Sequence, residues 1–254
     1  VLLGDLIDDG PHSLNVLVSV HDFALNDPDL NISLLIGNHD ASLGYSYLSE
    51  TFYSSVDPSS FCEELNDMED EFLHSFVRFH IRLMSILPVS ICLPGGLFAA
   101  HGGVPHADLL GGIRTKSDLS NPLCVNDFLW NRLTDSWRKE IFRNESHQIN
   151  ELGYLDWDDY RRHVSEVLGI DLKQMIRGHC HFTNRYKTHT EYGNRVVTIN
   201  NMSQKLLRER STQKYSVPCV ARWTQGTHLE LFKLNFPDSF FQFCDSQSAK
   251  AGSM

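Results

Sequence analysis

The chain opens with Val1-Leu2-Leu3-Gly4-Asp5-Leu6-Ile7-Asp8, in which a short apolar run ends at a glycine and carboxylates follow. A short apolar run bounded by turn residues is typical of a buried β-strand. A side chain placed just after such a strand lies at the edge of the sheet, where other segments can reach it. The stretch therefore predicts that Asp5 emerges where a buried strand gives way to a loop.

Three further segments repeat this arrangement of an apolar run followed by oxygen or nitrogen ligands. They are, in chain order, Gly37-Asn38-His39-Asp40 after residues 32–36, His101-Gly102-Gly103 after residues 97–100, and Gly178-His179-Cys180-His181 after residues 175–176. Any one of these segments alone fits an ordinary turn. Four of them in one chain, each after a predicted strand, predict ligands that converge on one site.

These side chains fit a site for two metal ions. Two ions held about 3.5 to 4 Å apart need a bridging carboxylate, with carboxamide and imidazole groups completing each shell. We predict Asp5 as the bridge. The other predicted ligands are Asn38, His101 and His179 for one ion and His181 for the other. Because the set contains no thiolate, divalent or trivalent Mn, Fe or Zn ions all suit it.

His39 and Asp8 have a different predicted role. Because His39 directly follows the asparagine ligand, we expect it beside the metals without binding them, with Asp8 holding the orientation of its ring. A histidine so placed would protonate the leaving group, and a positioned acid contributes about 10² to 10⁴-fold to a rate. The attacking species would be a metal-bound hydroxide, since metal binding lowers the pKa of water from 15.7 toward about 7.

The remaining patterns predict the helices and strands around this site. A helix is predicted after Pro11, with apolar positions at Leu14, Leu17, Val18, Phe23 and Ala24. Apolar residues at steps of three and four predict one long amphipathic helix over residues 61–87. Residues 89–93 and 97–100 flank Pro94-Gly95-Gly96 and predict a hairpin that delivers His101. Residues 105–171 predict a helical cap over the site, and short strand patterns from Met175 onward predict a second sheet.

Length and composition predict one domain over residues 1–244, followed by a disordered tail over residues 245–254. The chain has 254 residues, of which 41% are hydrophobic, so it can form a full core. A formal net charge of −10 argues against general binding of nucleic acid. The six cysteines form no CxxC pair, and no run approaches the roughly 18 apolar residues of a membrane span. We expect a cytoplasmic protein that binds neither membranes nor nucleic acid.

Together these segments resemble the calcineurin-like metallophosphoesterase superfamily, and within it the phosphoprotein phosphatase family of serine/threonine phosphatases. Residues 4–10 (GDLIDDG) are similar to that family's GDxVDRG, and residues 37–40 to its GNHE. Residues 101–104, 127–130 and 177–179 are similar to its HGG segment, its hydrophobic stretch ending in Trp and its Arg-Gly/Ala-His. The resemblance implies an α/β (α+β) fold, a β-sandwich of two mixed sheets flanked by helices with the metals at its edge.

The resemblance also implies the same site, position by position. It makes Asp5 the bridge and His39 with Asp8 the acid pair, and its second-metal ligands are Asn38, His101 and His179. The family carries an Asp-x-His motif upstream of GDxVDRG, and this chain starts at Val1, without that motif. We expect that the first strand and first metal motif precede Val1 in the full-length protein, so that this chain alone can be inactive. The alternative is a degenerate domain that has lost the motif.

Two further departures bear on the substrate. Asp9 stands where the family places a phosphate-gripping arginine, and a charge contact at about 4 Å is worth roughly 4 kcal/mol at an effective dielectric near 20. The arginines considered as its replacement are Arg114, Arg132, Arg138 and Arg143. His181 is more typical of the wider superfamily, where the second histidine of GHxH helps to bind the first metal.

The leading hypothesis is a metal-dependent phosphatase that hydrolyses phosphomonoesters, with phosphoserine or phosphothreonine proteins as the first substrate class and small phosphoesters as further substrates. One alternative is hydrolysis of a nucleotide such as a dinucleoside polyphosphate, which Asp9 and His181 suggest. Another is a pseudo-phosphatase or interaction module that keeps the fold without a complete metal pair.

Overall fold

The computed structural model describes residues 1–8, 10, 12–27, 29, 31–57, 59–137, 151–182, 184–193, 195–201, 218–224 and 229–234. The α-helices there are α1 (Ser13–Asn26), α2 (Asn38–Ser42), α3 (Ser60–Asp67), α4 (Glu71–Met84), α5 (Ala107–Leu110), α6 (Pro122–Trp130) and α7 (Tyr154–Leu168), with 3₁₀ turns at Lys116–Ser120 and Thr190–Tyr192. The strands are β1 (Leu43–Ser46), β2 (Thr51–Ser54), β3 (Ser90–Leu93), β4 (Leu97–Ala100), β5 (Arg132–Leu133), β6 (Glu151–Leu152), β7 (Gln174–Arg177), β8 (Tyr186–His189), β9 (Val196–Ile199), β10 (Cys219–Trp223) and β11 (Leu229–Lys233). None of these helices combines the length and the apolar character needed to cross a membrane. The predictions for Asp9, Pro11, Arg138, Arg143 and residues 245–254 lie outside the described residues.

One five-stranded mixed sheet, in the order β3-β4-β7-β9-β8, organises the fold. β4, β7 and β9 run parallel, and the outer strands β3 and β8 are antiparallel to their neighbours. All residues of β4 and β9 are buried, as expected for strands that are covered on both faces. The predicted class, a mixed α/β fold with helices around mixed sheets, is confirmed.

The strands after Met175 contradict one prediction. The hairpin before His101 is confirmed, because β3 and β4 pair antiparallel. The expected second sheet is wrong for β7, β8 and β9, which extend the sheet that holds the hairpin, while β10 and β11 pair separately. The physical reason is the parallel pairing of the buried apolar strand β4 with β7, in which Met175 and Arg177 are buried. This pairing brings the loops after both strands together, and Gly178 N donates to His101 O at 3.0 Å.

The first predicted strand lies beside the segment that precedes the second motif. Leu2 and Leu34 form a parallel bridge, with Leu2 N donating to Ser33 O at 2.8 Å and Leu35 N to Leu2 O at 2.9 Å. The described pairing is a single bridge, so both segments are shorter as strands than predicted. Because they run parallel, they end at the same edge, which places Asp5 next to the second motif.

The predicted long helix over residues 61–87 is wrong. The structure has two helices there, α3 and α4, separated by residues 68–70. The Asp70 carboxylate caps α4 by accepting two backbone hydrogen bonds from its first turn, at 3.0 and 3.1 Å. Phe72 and Phe79, two positions of the predicted apolar stripe, are 79% and 56% exposed. A capping aspartate therefore starts a new helix although the apolar spacing continues across the break.

Helix α1 forms as predicted but buries a different face. Leu17 is fully buried, whereas Val18 and Phe23 are 45% and 57% exposed. Leu14 and Val20 pack against the neighbouring apolar clusters. The contacting positions thus follow steps of three, from Leu14 through Leu17 to Val20, and the predicted face was rotated relative to the observed one.

The largest apolar cluster lies between the five-stranded sheet and helices α6 and α7. Phe98, Phe128, Trp157 and Tyr160 contact one another with ring centroids 5.9 to 6.5 Å apart. Each such buried side chain contributes about 1.5 to 3 kcal/mol through the hydrophobic effect. This core fixes α6 against the end of β4, where Gly102 N donates to Phe128 O at 2.6 Å.

Candidate metal centre

The loop that carries Asp5 has an unusual backbone. Gly4 and Asp5 both have positive φ, +86° and +53°, and a non-glycine residue rarely adopts this conformation. The loop lies directly against Gly37, so that a Cβ added at Gly37 would overlap the Asp5 backbone nitrogen and carboxylate. Glycine at position 37 therefore lets the first two motifs meet backbone to backbone.

The carboxylates of the first and second motifs hold the two loops together. Asp5 Oδ1 accepts a hydrogen bond from His39 N at 3.0 Å. In return, Asp40 Oδ2 accepts from Asp5 N at 2.6 Å and from Gly37 N at 3.0 Å, and Asp40 Oδ1 accepts from Leu6 N at 3.0 Å. Burial and the nearby Asp5 charge raise the pKa of Asp40 to about 6. Each loop thus supplies a carboxylate that accepts hydrogen bonds from the other loop. These bonds fix the position of the two loops relative to each other.

His101 links the third motif to the first two. Its Nδ1 donates to the carbonyl of Leu3 at 2.8 Å, because a carbonyl can only accept. Its Nε2 lies 2.9 Å from Asn38 Oδ1 and 3.1 Å from Asp5 Oδ2. In neutral His101 a lone pair on Nε2 would face two acceptor oxygens. Three atoms with lone pairs therefore face one point, which suits a bound cation.

His179 completes the cluster from the fourth motif. Its Nδ1 lies 2.9 Å from Asn38 Oδ1, and its Nε2 is buried and has no hydrogen-bond partner. Burial lowers the pKa of His179 well below its ordinary value, and the charges of His101, Arg177 and Arg132 lower it further. His179 is therefore neutral near pH 7, the state in which imidazole binds a metal.

The structure thus brings Asp5, Asn38, His101 and His179 together. One ligand atom from each of Asp5, His101 and His179 lies within 4.8 Å of the others, and Asn38 Oδ1 contacts both histidines. Although burial by itself would raise the pKa of Asp5, neighbouring His101 and His39 hold it well below its usual range. A carboxylate oxygen, an amide oxygen and two imidazole nitrogens are a donor set that fits one divalent ion.

His181 is not part of this group. It is exposed, and it lines a cavity of about 590 Å³ that Asp5, His101 and His179 also line. In the described part of the chain, the cluster around Asp5 is the one group of three or more acidic, histidine or cysteine side chains close enough to share an ion. The arrangement therefore accounts for one ion, and the role of His181 on a second ion stays a prediction.

His39 and Asp8 form the predicted pair beside the cluster. His39 Nδ1 donates to Asp8 Oδ2 at 2.9 Å, and the two side chains are only 12% and 2% exposed. Asp8 is itself held in place, because its Oδ1 accepts from Phe61 N at 2.9 Å and its backbone N–H donates to Ser13 Oγ at 3.0 Å. The carboxylate is therefore anchored to the starts of α1 and α3, and it can fix the orientation of the imidazole.

Arg177 is a buried residue near the cluster to which sequence reasoning assigned no role of its own. Its side chain is fully buried. Its Nε donates to Gly102 O, its Nη2 to Asn131 O at 3.2 Å and its Nη1 to Cys180 Sγ at 3.2 Å. The guanidinium thus ties together the loops after β4, α6 and β7. Its signal in the sequence is a charge at the end of a buried strand, which demands partners.

Arg132 is the arginine candidate whose charge acts on His179, where it lowers the pKa of the imidazole. It is exposed, and it directly follows Asn131, which is fully buried and hydrogen-bonded to Val104 O at 2.9 Å. The ring of the preceding Trp130 lies 6.1 Å from the ring of His179. Arg114 is also exposed, while Arg138 and Arg143 are outside the described residues.

Comparison with known proteins identifies the family of this chain. The profile of the "Calcineurin-like phosphoesterase" family matches residues 1–182, and the chain belongs to this family. Its members act on phosphoesters with the help of metal ions, so the coarse prediction of a metal-dependent phosphoesterase is confirmed at the level of the family. No curated protein sequence matches the chain significantly.

Two of the solved structures that are similar to the chain differ in their similarity scores. One is a serine/threonine phosphatase from Saccharomyces cerevisiae, described as similar to human phosphatase PP5, with a TM-score of 0.57 and 16% sequence identity. The similarity covers 92% of this chain and 70% of the yeast protein. The other is a hypothetical protein from Pyrococcus horikoshii, with a TM-score of 0.42 and 11% identity over 97% of this chain and 79% of that one. At this identity the yeast structure supports the fold alone.

Proposed function

We propose that this chain is the core of a metal-dependent phosphatase that hydrolyses phosphomonoesters, with phosphoserine and phosphothreonine proteins as the first substrate class to test. The observation that carries the proposal is the meeting of Asp5, Asn38, His101 and His179 beside the His39 and Asp8 pair. Four segments far apart in sequence supply these groups, and together they combine a metal-ligand set with an acid.

The residues would divide the work as follows. Asp5 with Asn38, His101 and His179 would hold the ion, and a bound divalent ion supplies Lewis-acid charge for a phosphoryl group and an acidified water. His39, oriented through Nδ1 by Asp8, would donate a proton from its other ring nitrogen to the departing oxygen. Arg177 would keep the loops of His101 and His179 in register through its three hydrogen bonds.

Arg132 would supply the cation that binds the substrate phosphate in place of the family's arginine at position 9. Its backbone is fixed by the buried Asn131 and by the pairing of β5 with β6, while its side chain is exposed. A guanidinium suits this task because its planar donors match the oxygens of a phosphate. Arg177 donates its hydrogen bonds to protein groups. Arg132, whose side chain is exposed, is therefore a better candidate than Arg177 for binding the substrate phosphate.

Hydrolysis by the manganese-loaded full-length protein tests this proposal. We expect turnover of phenyl phosphate and of a phosphoserine peptide, and loss of turnover in Asp5→Asn. Faster turnover of a dinucleoside tetraphosphate than of either phosphomonoester would favour nucleotide hydrolysis instead.

A catalytically incomplete domain is the second candidate, because the described residues account for one ion only. In that case the protein would bind about one Mn²⁺ per chain and turn over none of the three substrates. Two bound ions with turnover would contradict this alternative.

A further inference from the structure

Asp40 is a buried carboxylate at the centre of the site that neither the ligand set nor the acid pair uses. Its side chain is 3% exposed, and it lies two residues after Asn38. Both of its oxygens face backbone amides, three in all, at 2.6 to 3.0 Å. Because these amides occupy the carboxylate, it is poorly placed to bind a metal ion itself.

The three amides belong to the two loops that carry Asp5 and Asn38, the oxygen ligands of the proposed metal site. Asp5 N and Leu6 N belong to the first loop, and Gly37 N belongs to the second. A carboxylate that accepts three N–H bonds provides more than a helix cap requires, since a cap needs one or two. The additional bonds are donated by the backbone N–H groups of Asp5, the proposed bridging ligand, and of Leu6.

The backbone of Asp5 gives these bonds a specific task. A positive φ is unfavourable for a residue with a Cβ and persists only where the surroundings enforce it. The short bond from Asp5 N to Asp40 holds the peptide in this conformation, and the bond from His39 N to Asp5 Oδ1 then fixes the side chain. The direction of the Asp5 carboxylate therefore depends on Asp40.

We infer that Asp40 is the positioning residue of the metal centre, which sets the metal affinity by holding Asp5 and the Asn38 loop in their binding geometry. The inference rests on the proposed function, because it assumes that Asp5 is a metal ligand. Groups that orient metal ligands in this way change metal affinity by about 10 to 100-fold when they are removed.

The chain offers a matched control in Asp156. In α2 and in α7 alike, a glycine precedes the helix and an aspartate at the third helical position accepts its backbone N–H. The Asp156 bond to Gly153 N is 2.8 Å long, and Asp156 is 2% exposed. Asp156 lies outside the metal cluster, so Asp156→Asn weakens a comparable cap without disturbing Asp5.

The experiment measures the Mn²⁺ affinity of the full chain by calorimetry, and the melting temperature of the metal-free protein, in wild type, Asp40→Asn and Asp156→Asn. We expect both variants to melt at lower temperature, but only Asp40→Asn to bind Mn²⁺ about 10 to 100-fold more weakly. Asp40→Glu, which keeps the charge and both acceptor oxygens, should recover part of the affinity. Equal Mn²⁺ affinities in the two asparagine variants would show that Asp40 is an ordinary cap and overturn the inference.

Two further outcomes separate this inference from the proposed function. If Asp40→Asn does not fold, Asp40→Ser replaces it, since water can then solvate the three amides, and the same loss of affinity is expected. Wild-type protein that binds Mn²⁺ without hydrolysing phosphoesters would contradict the proposed function alone. Wild-type protein that binds no Mn²⁺ would contradict both.

Discussion

Replacement of His39 by asparagine is the most informative test of the proposed chemistry. The variant removes the proton donor, while the backbone N–H of residue 39 still donates to Asp5 Oδ1 and the other ligands remain. A positioned acid contributes about 10² to 10⁴-fold, which corresponds to about 3 to 5 kcal/mol of barrier. The buried 2.9 Å bond to Asp8 fixes the ring, so we expect a loss toward the upper end of this range.

The size of the loss should depend on the leaving group. Phenyl phosphate releases a basic oxygen that needs a proton, so kcat should fall by about 10³-fold or more in His39→Asn. p-Nitrophenyl phosphate releases a stable anion, so the same variant should lose about tenfold or less with it. Steady-state kinetics of the manganese-loaded full-length protein with both substrates measures this difference directly.

Asp8 and His39 should also act as one unit. Asp8→Asn keeps an acceptor for Phe61 N but removes the negative charge that stabilises the protonated ring. The double variant should therefore be about as slow as the slower single variant, as for residues that share one function. His106→Asn is the control, because it breaks another His–Asp pair of 2.9 Å outside the cluster. Wild-type turnover of phenyl phosphate by His39→Asn, or additive losses in the double variant, would refute the acid assignment.

Three other predictions concern the substrate, the loop contact and acid stability. Arg132→Ala should raise the KM for phosphomonoesters about tenfold through loss of a charge-assisted contact, with unchanged Mn²⁺ affinity by calorimetry; an unchanged KM would exclude Arg132 from the phosphate site. Gly37→Ala should abolish Mn²⁺ binding, because the added methyl overlaps Asp5, and retained binding would contradict the described loop contact. Burial lowers the pKa of His80 and His189 to about 4, whereas unfolded histidine titrates near 6.5. The unfolded state therefore binds more protons between these values, and urea unfolding should show stability falling from pH 6.5 toward pH 4 by about 3 kcal/mol per histidine. A flat profile there would contradict the buried, neutral state of both rings.

The residues of the candidate site could be predicted from the sequence because ligand chemistry and strand patterns are local signals. Each of Asp5, Asn38, His101 and His179 follows an apolar run, and metal chemistry restricts which side chains can serve as ligands. Their meeting depends on strand order, which local patterns do not contain. The parallel pairing of β4 with β7, which places His101 beside Gly178, became visible only in the structure.

The wrong predictions also arose from contacts that local sequence patterns do not contain. The helix predicted over residues 61–87 broke because Asp70 offers the backbone a cap, and a single capping side chain outweighed continued apolar spacing. The predicted face of α1 was rotated because packing partners, and not hydrophobicity alone, choose the buried side. Asp40 and Arg177 lie in the recognised motifs but were given no role, because their contacts are mainly hydrogen bonds to backbone groups distant in sequence.

A crystal of this protein grown with Mn²⁺ tests the central claim most directly, through the anomalous scattering of the metal. The account predicts a manganese peak within coordination distance of Asp5, Asn38, His101 and His179 at once. A protein that shows no such peak, or one that binds manganese away from these four side chains, would contradict it.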